Sequence, residues 1–386
     1  MNSTTFSKAN VYEESGLPEL GFRNYWYPVF AAWRLKTRQP KAIRILGEEI
    51  VLFRNKEKTF ALNNQCAHRG AKLSEGSCLY PDTNTLTCPY HGWTYSGETG
   101  KCIAKLMEGP KTNIPVEARV KTYPVREHLG IIWLFIGDMA AVPLEEDLPE
   151  CLSNTHEWHT IATWRTYKCN WRPLNDNLCY DLHAPFLHRN SPELVFQPIF
   201  PFASKVTTTK LEDGKGLGYT AREGVTEADY PNLGKFPPPS EAFWRRLNPI
   251  GRGQELDPQT SQATKLYGIK YRHMSRLPAV TLVGRPSGDY FMCRWVTPID
   301  SKKTLFYSVN AYRRRSKMTT ILDKVRWVLW HSWAHDWVFS DQDKKIVEGV
   351  RSDKEQLSQS DTGVIAWRKF MVENARNPND GSKSNP

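Results

Sequence analysis

Short apolar runs punctuated by turn residues fill the first third of the chain. Residues 42–46, 49–54 and 59–63 are rich in β-branched and aromatic side chains and stop at Gly47, Asn55 and Asn64. That rhythm predicts short antiparallel strands. Residues 130–136 form a further apolar strand that stops at Gly137-Asp138, and the stretch 143–149, with proline at both ends, reads as a linker. A domain boundary is expected near 145–155.

Beyond that boundary the pattern changes. Residues 170–188 are polar and aromatic and predict a helix with a break, while 203–223 predict two strands. Further strands are expected over 265–274, 279–284, 289–296 and 304–313. The intervening stretch 224–264, with Pro237-Pro238-Pro239, is long for a plain connection and suggests a lid or substrate cover. From Lys317 a long amphipathic helix carries Trp327, Trp330, Trp333 and Trp337. Their spacing of three, three and four predicts one helix face packed into the core against a sheet. The expected class is α+β, with an all-β domain over 21–150 and an antiparallel sheet with a long helix over 151–376. A loose arm over 1–20 and a disordered tail over 377–386 flank them.

At 386 residues the chain is long enough for two sizeable cores, and 40% hydrophobic residues with 24% charged is ordinary for a globular protein. No apolar run approaches the ~18–20 residues of a membrane span, and the first residues lack the pattern of an export signal, so a cytoplasmic location is expected. The net charge of +11 fits a docking face for an acidic electron carrier, an anionic substrate, or a basic surface with no specific partner. Nucleic-acid binding is not expected, because no basic stripe with interleaved aromatics is present. Of eight cysteines, Cys78, Cys102, Cys151, Cys169, Cys179 and Cys293 show no framework spacing and read as reduced thiols.

The remaining two cysteines carry chemistry. Cys66-Ala67-His68-Arg69-Gly70 and Cys88-Pro89-Tyr90-His91-Gly92-Trp93 each offer one thiolate and one imidazole, with nineteen residues between His68 and Cys88. A structural zinc site usually groups its two cysteines before its two histidines. The alternation found here suits a [2Fe–2S] cluster, Cys66 and Cys88 on one iron and His68 and His91 on the other, at a raised reduction potential. These residues resemble the Rieske cluster motif, and Tyr123-Pro124-Val125 with Gly130-Ile131-Ile132-Trp133 resembles the strand that closes a Rieske domain.

A cluster of this kind only moves electrons, so a second centre should use them. His183 and His188 lie five residues apart near several carboxylates. In a regular helix they would diverge by about 140°. Pro185 lies between them and breaks the helix, so that His188 is redirected. Two histidines and one carboxylate on one face of an iron form the facial triad of non-haem Fe(II) oxygenases.

With these residues the chain resembles the terminal oxygenase subunit of Rieske non-haem iron oxygenases over roughly residues 22–370. It is closest to the type with a single kind of subunit, and Leu20-Gly21-Phe22-Arg23-Asn24-Tyr25-Trp26-Tyr27-Pro28-Val29 resembles the carbazole dioxygenase group. The resemblance implies that His183 and His188 bind iron, with Asn177 beside them. Phe339-Ser340-Asp341-Gln342-Asp343 resembles the ligand helix, which selects Asp343 over Asp336 and Asp341. The family places an aspartate three residues before the first histidine, bridging to the neighbouring subunit's cluster. Tyr180 stands there, so Asp181, Tyr180 or Asp176 is left to make the bridge. The resemblance further implies a helix-grip catalytic domain, a homotrimer, O2 as co-substrate, and electrons from NAD(P)H through a ferredoxin or flavoprotein reductase. Aromatic residues over 224–296 suggest an apolar, aromatic or polycyclic substrate, with Arg285, Arg294 or Lys270 available for a carboxylate or sulfonate. A membrane-associated steroid or pigment oxygenase held by the tryptophan helix, or an electron carrier with an inactive second domain, are the alternatives.

Overall fold

The computed structural model describes residues 15–56, 58–179, 183–188, 191, 203–223, 273–284, 288–351 and 355–377. The expected lid over 224–264, most of the strand over 265–274, most of the arm and nearly all of the tail lie outside them.

The chain divides into two compact units. One comprises Leu20–Leu148, Thr297–Leu305 and the described residues after Ala375. Its nine strands are β1 (Tyr25–Ala31), β2 (Lys41–Ile45), β3 (Glu48–Asn55), β4 (Lys58–Asn63), β5 (Thr85–Thr87), β6 (Trp93–Ser96), β7 (Cys102–Lys105), β8 (Val125–His128) and β9 (Ile131–Ile136). They form three antiparallel sheets ordered β1-β9-β8, β2-β3-β4 and β5-β6-β7. Ile50, Val51, Leu52 and Phe53 of β3 are all buried, as is every residue of β9. Strands covered on both faces are continuously apolar instead of alternating, which is why these two runs stand out in the sequence.

The other unit comprises Pro149–Val296, Phe306–Ala375 and the described residues before Leu20. Its seven-stranded sheet has the order β10-β16-β15-β14-β13-β12-β11. The strands are β10 (Trp158–Tyr167), β11 (Ala203–Lys210), β12 (Gly216–Glu223), β13 (His273–Arg276), β14 (Val280–Gly284), β15 (Tyr290–Asp300) and β16 (Lys303–Arg313). The helices are α1 (Glu150–Ser153), α2 (Trp171–Leu178), α3 (Ala184–Leu187), α4 (Lys317–Arg326), α5 (Ser340–Val347) and α6 (Thr362–Asn374), with a π-helix over Trp327–Phe339 between α4 and α5.

Two expectations change. Residues 15–19 are fastened to the second unit and not loose, because Trp171 Nε1 donates to the Pro18 carbonyl and Arg172 Nη2 to the Leu17 carbonyl. The tryptophan stripe is not a core face: Trp327 is buried, but Trp333 is 42% exposed and Trp337 69%. The wider π turn rotates successive residues by less than the ~100° of an α-helix, so spacings of three and four drift off one face.

α2 is held by α6. Arg368 Nη2 pairs with Asp176 Oδ2 at 2.6 Å and with Glu355 Oε1 at 2.7 Å, while Trp367 Nε1 donates to Asn175 Oδ1 at 3.2 Å. Asp176 is therefore committed within the fold and leaves the set of residues available for a bridge to another subunit. Arg368→Met should strand a buried carboxylate and cost about 3 kcal/mol in urea unfolding, with Asp176→Leu/Arg368→Met recovering most of it. A single variant that unfolds like the wild type would show that the clamp holds nothing.

Candidate metal centres

The first centre is built from two turns. Gly70, at φ +74°, closes the turn after Cys66 by donating to its carbonyl, and Gly92, at φ +67°, does the same for Cys88. A Cβ at Gly92 would sit 2.8 Å from the Leu106 side chain, so the loop requires glycine both for its backbone and for space. Cys66 and Cys88 are buried with their thiols beside each other, and burial, then the Cys66 thiol, push the Cys88 thiol up. His68 is exposed and stacks on Trp93 at 4.7 Å, and its ring meets that of His91 at 4.8 Å.

Buried His91 Nδ1 has no hydrogen-bond partner among the described residues. Two inward thiols, an imidazole nitrogen without a protein partner and a second imidazole toward solvent fit the donor set of a Rieske cluster. Sequence reasoning does not reach Tyr95. Its hydroxyl lies 3.1 Å from Cys66 Sγ and accepts from the Ala67 amide at 3.0 Å. Burial and Cys66 push that hydroxyl well above an ordinary phenol, so it remains a donor to sulfur.

The second centre is long-range. α2 begins at Asn170, whose side chain caps the Arg172 amide, and ends at Leu178. α3 follows the break and carries the chain from His183 to His188. Asp343 arrives on α5. His183 Nε2 and His188 Nε2 lie 3.2 Å apart, and each faces Asp343 Oδ1, at 3.3 and 3.1 Å. Asn177 Nδ2 donates to the same oxygen at 3.2 Å. The near-equilateral triangle has the size of one face of an octahedron with bonds of about 2.2 Å.

Among these neighbours Asp343 stays an ionised carboxylate, as a metal ligand must. Burial alone would push the Asp343 carboxyl up, yet hydrogen bonds and charge from His183 and His188 hold it far below the usual carboxylate range. His188 is fully buried, stacks on Phe339 at 3.6 Å, and places Nδ1 2.9 Å from Gln342 Oε1. An Nδ1–H donated to Gln342 leaves the Nε2 lone pair facing the other two donors. Three facing lone pairs at this distance repel unless a positive charge lies among them, so the residues fit a mononuclear Fe(II).

The rival carboxylates are occupied elsewhere. Asp341 is half-buried and pairs with Lys345 at 3.3 Å. Asp336 is buried and accepts from Thr163 and His335 at 3.3 and 3.1 Å. Tyr180, Asp181, Arg285 and Lys270 lie outside the described residues. Gln342 and Phe339 stand within the stretch that selects Asp343, yet nothing in their residue type announces a role.

Tyr95→Phe should retain the cluster while lowering its midpoint potential by a few tens of millivolts in voltammetry, because a hydrogen bond to sulfur favours the reduced state. An unchanged potential would mean that the hydroxyl does not reach the ligand sulfur once the cluster is in place.

The family described as Rieske [2Fe-2S] domain matches residues 25–124. The chain is 26% identical over 373 residues to the terminal oxygenase component of carbazole 1,9a-dioxygenase from Metapseudomonas resinovorans, covering 92% of this chain and 91% of that one. It is 36% identical over 185 residues to the corresponding protein of Sphingomonas sp., covering 48% of each chain, so this match spans about half that relative's length. The 4beta-methylsterol monooxygenase of Methylococcus capsulatus is also 36% identical, over 183 residues covering 46% of this chain and 47% of that one. Among solved structures, the terminal oxygenase of carbazole 1,9a-dioxygenase from Nocardioides aromaticivorans IC177 superposes with a TM-score of 0.73 at 24% identity, covering 94% of this chain and 96% of that one, a likeness of fold. With both sets of metal donors standing in one chain of this fold, the chain belongs to the Rieske non-haem iron oxygenases.

Proposed function

We propose that the chain is the terminal oxygenase component of a multicomponent system that hydroxylates an apolar, aromatic or polycyclic substrate with O2. The observation that carries this reading is the convergence of His183, His188 and Asp343 in a chain that also presents Cys66, His68, Cys88 and His91 in Rieske arrangement. When bound, the cluster would pass electrons singly and the mononuclear iron would supply the O2 chemistry. Insertion of one or both oxygen atoms consumes two electrons and two protons beyond O2 itself.

The chain's own residues prepare that chemistry. Gln342 holds the His188 tautomer, and Asn177 restrains Asp343. Phe339 covers one face of His188 and keeps water from it. Exposed His68 offers an entry point for electrons at the surface. A ferredoxin is the proposed donor, since the similar carbazole 1,9a-dioxygenase oxygenase is described in complex with ferredoxin. NAD(P)H stands behind it through a reductase. The described helices include none long and apolar enough to cross a membrane. A cytoplasmic homotrimer is proposed, in which Asp181 links the iron of one subunit to the cluster of the next.

Iron analysis with EPR tests the assignment. The wild type should hold three irons per chain. Asp343→Ala should hold two, show an unchanged reduced-cluster signal and form no product, while Asp341→Ala should be nearly silent. Two irons per chain in the wild type, with no product from any substrate, would leave an electron carrier. Asp181→Asn should bind both metals and accept reduction normally, yet form product slower by orders of magnitude. Full activity in that variant would move the inter-subunit link to another residue.

A further inference from the structure

Arg294, on β15, is 8% exposed, and among the described residues its guanidinium has no ion pair or hydrogen bond, with Nε buried lacking an acceptor. Strand register fixes where it stands. Arg294 pairs with Thr281 of β14, and Thr281 pairs with Ser275 of β13, so the three side chains leave the sheet on one face. His273 shares that face, two residues from Ser275, and its Nε2 lies 3.0 Å from the Leu178 carbonyl at the end of α2. This is therefore the face that meets the helix carrying Asn177. The charge of Asp343 reaches Arg294, but that carboxylate is already shared by His183, His188 and Asn177.

A buried guanidinium without a counter-charge is costly, and an apolar residue of similar volume would be more stable. With a divalent metal on the triad, the neighbourhood carries net positive charge and lacks an anion. Resting on the oxygenase reading, we propose that Arg294 binds a carboxylate borne by an otherwise aromatic substrate and so fixes which ring carbon faces His183, His188 and Asp343. The overall charge of +11 would draw such a substrate in.

Calorimetry and thermal melting of the iron-loaded protein test this with naphthoate and naphthalene as probes. Wild type should bind naphthoate much more tightly than naphthalene and melt higher in its presence. Arg294→Leu should bind naphthoate about 100-fold more weakly, show no naphthoate-dependent rise, and melt higher than wild type when no ligand is added. Arg294→Lys should fall between them. An arginine paired within the fold gives the opposite sign: Arg294→Leu melts lower or fails to fold. Equal binding of both probes by wild type, which needs no variant, also overturns the proposal. Product analysis after reduction, with O2 and either probe, keeps the two readings apart. Oxygenated naphthalene without naphthoate preference removes the anion site alone, while Arg294-dependent naphthoate binding with no oxygenated product from any substrate removes the oxygenase alone.

Discussion

The clamp between Arg368 and Asp176 holds the helix against which the mononuclear centre is built. α2 has eight residues, well below the ~12–15 that a helix needs to persist alone in water. Its position comes from the buried ion pair, from Trp367 donating to Asn175, and from the Asn170 cap. Asn177 follows Asp176 directly and reaches the Asp343 oxygen that both histidines face. The carboxylate at the metal position thus rests on a second carboxylate that touches no metal. Asp176 tolerates burial because Arg368 neutralises it, and Arg368 because Glu355 shares its charge.

The two centres solve opposite problems. The cluster ligands come from two tight turns that place both sulfurs inside, with His91 half-buried and His68 at the surface, all within a few residues, so local backbone geometry does the work. The triad joins segments far apart in sequence, with Asn177 and Asp343 separated by 166 positions. No local rule brings them together; the sheet, α2 and α5 must all be in place first. Hydrogen bonds nevertheless fix ligands at both centres: Tyr95 meets the Cys66 sulfur, Asn177 donates to Asp343, and His188 is held by Gln342.

What can be read from the residues follows the same division. The alternating Cys and His pairs and the continuous apolar strands are legible because their causes are local. Pro185 does not break a helix between His183 and His188, as expected from the residues: the preceding helix ends at Leu178, and Pro185 stands in the first turn of α3, where a proline is tolerated. Asp343 is not separable from Asp341 by residue type or charge; their difference is full burial beside two imidazoles against a half-buried place beside Lys345. Asp336 misleads in the other direction, since a helix carboxylate gives no sign of burial against His335 and Thr163. The tryptophan stripe fails because spacings of three and four assume an α-helix, and the backbone there is π. Arg294 is invisible as a site until strand register shows which face it occupies.

The contrast in ligand spacing bears on how the protein is made. Every cluster ligand lies between Cys66 and His91, so during N-to-C synthesis all four are available early. His188 and Gln342, by contrast, are 154 residues apart, and the pocket between them exists only after the last long-range contacts close. All four cluster ligands are therefore made long before the triad can be completed, since the mononuclear site needs Asp343 on α5.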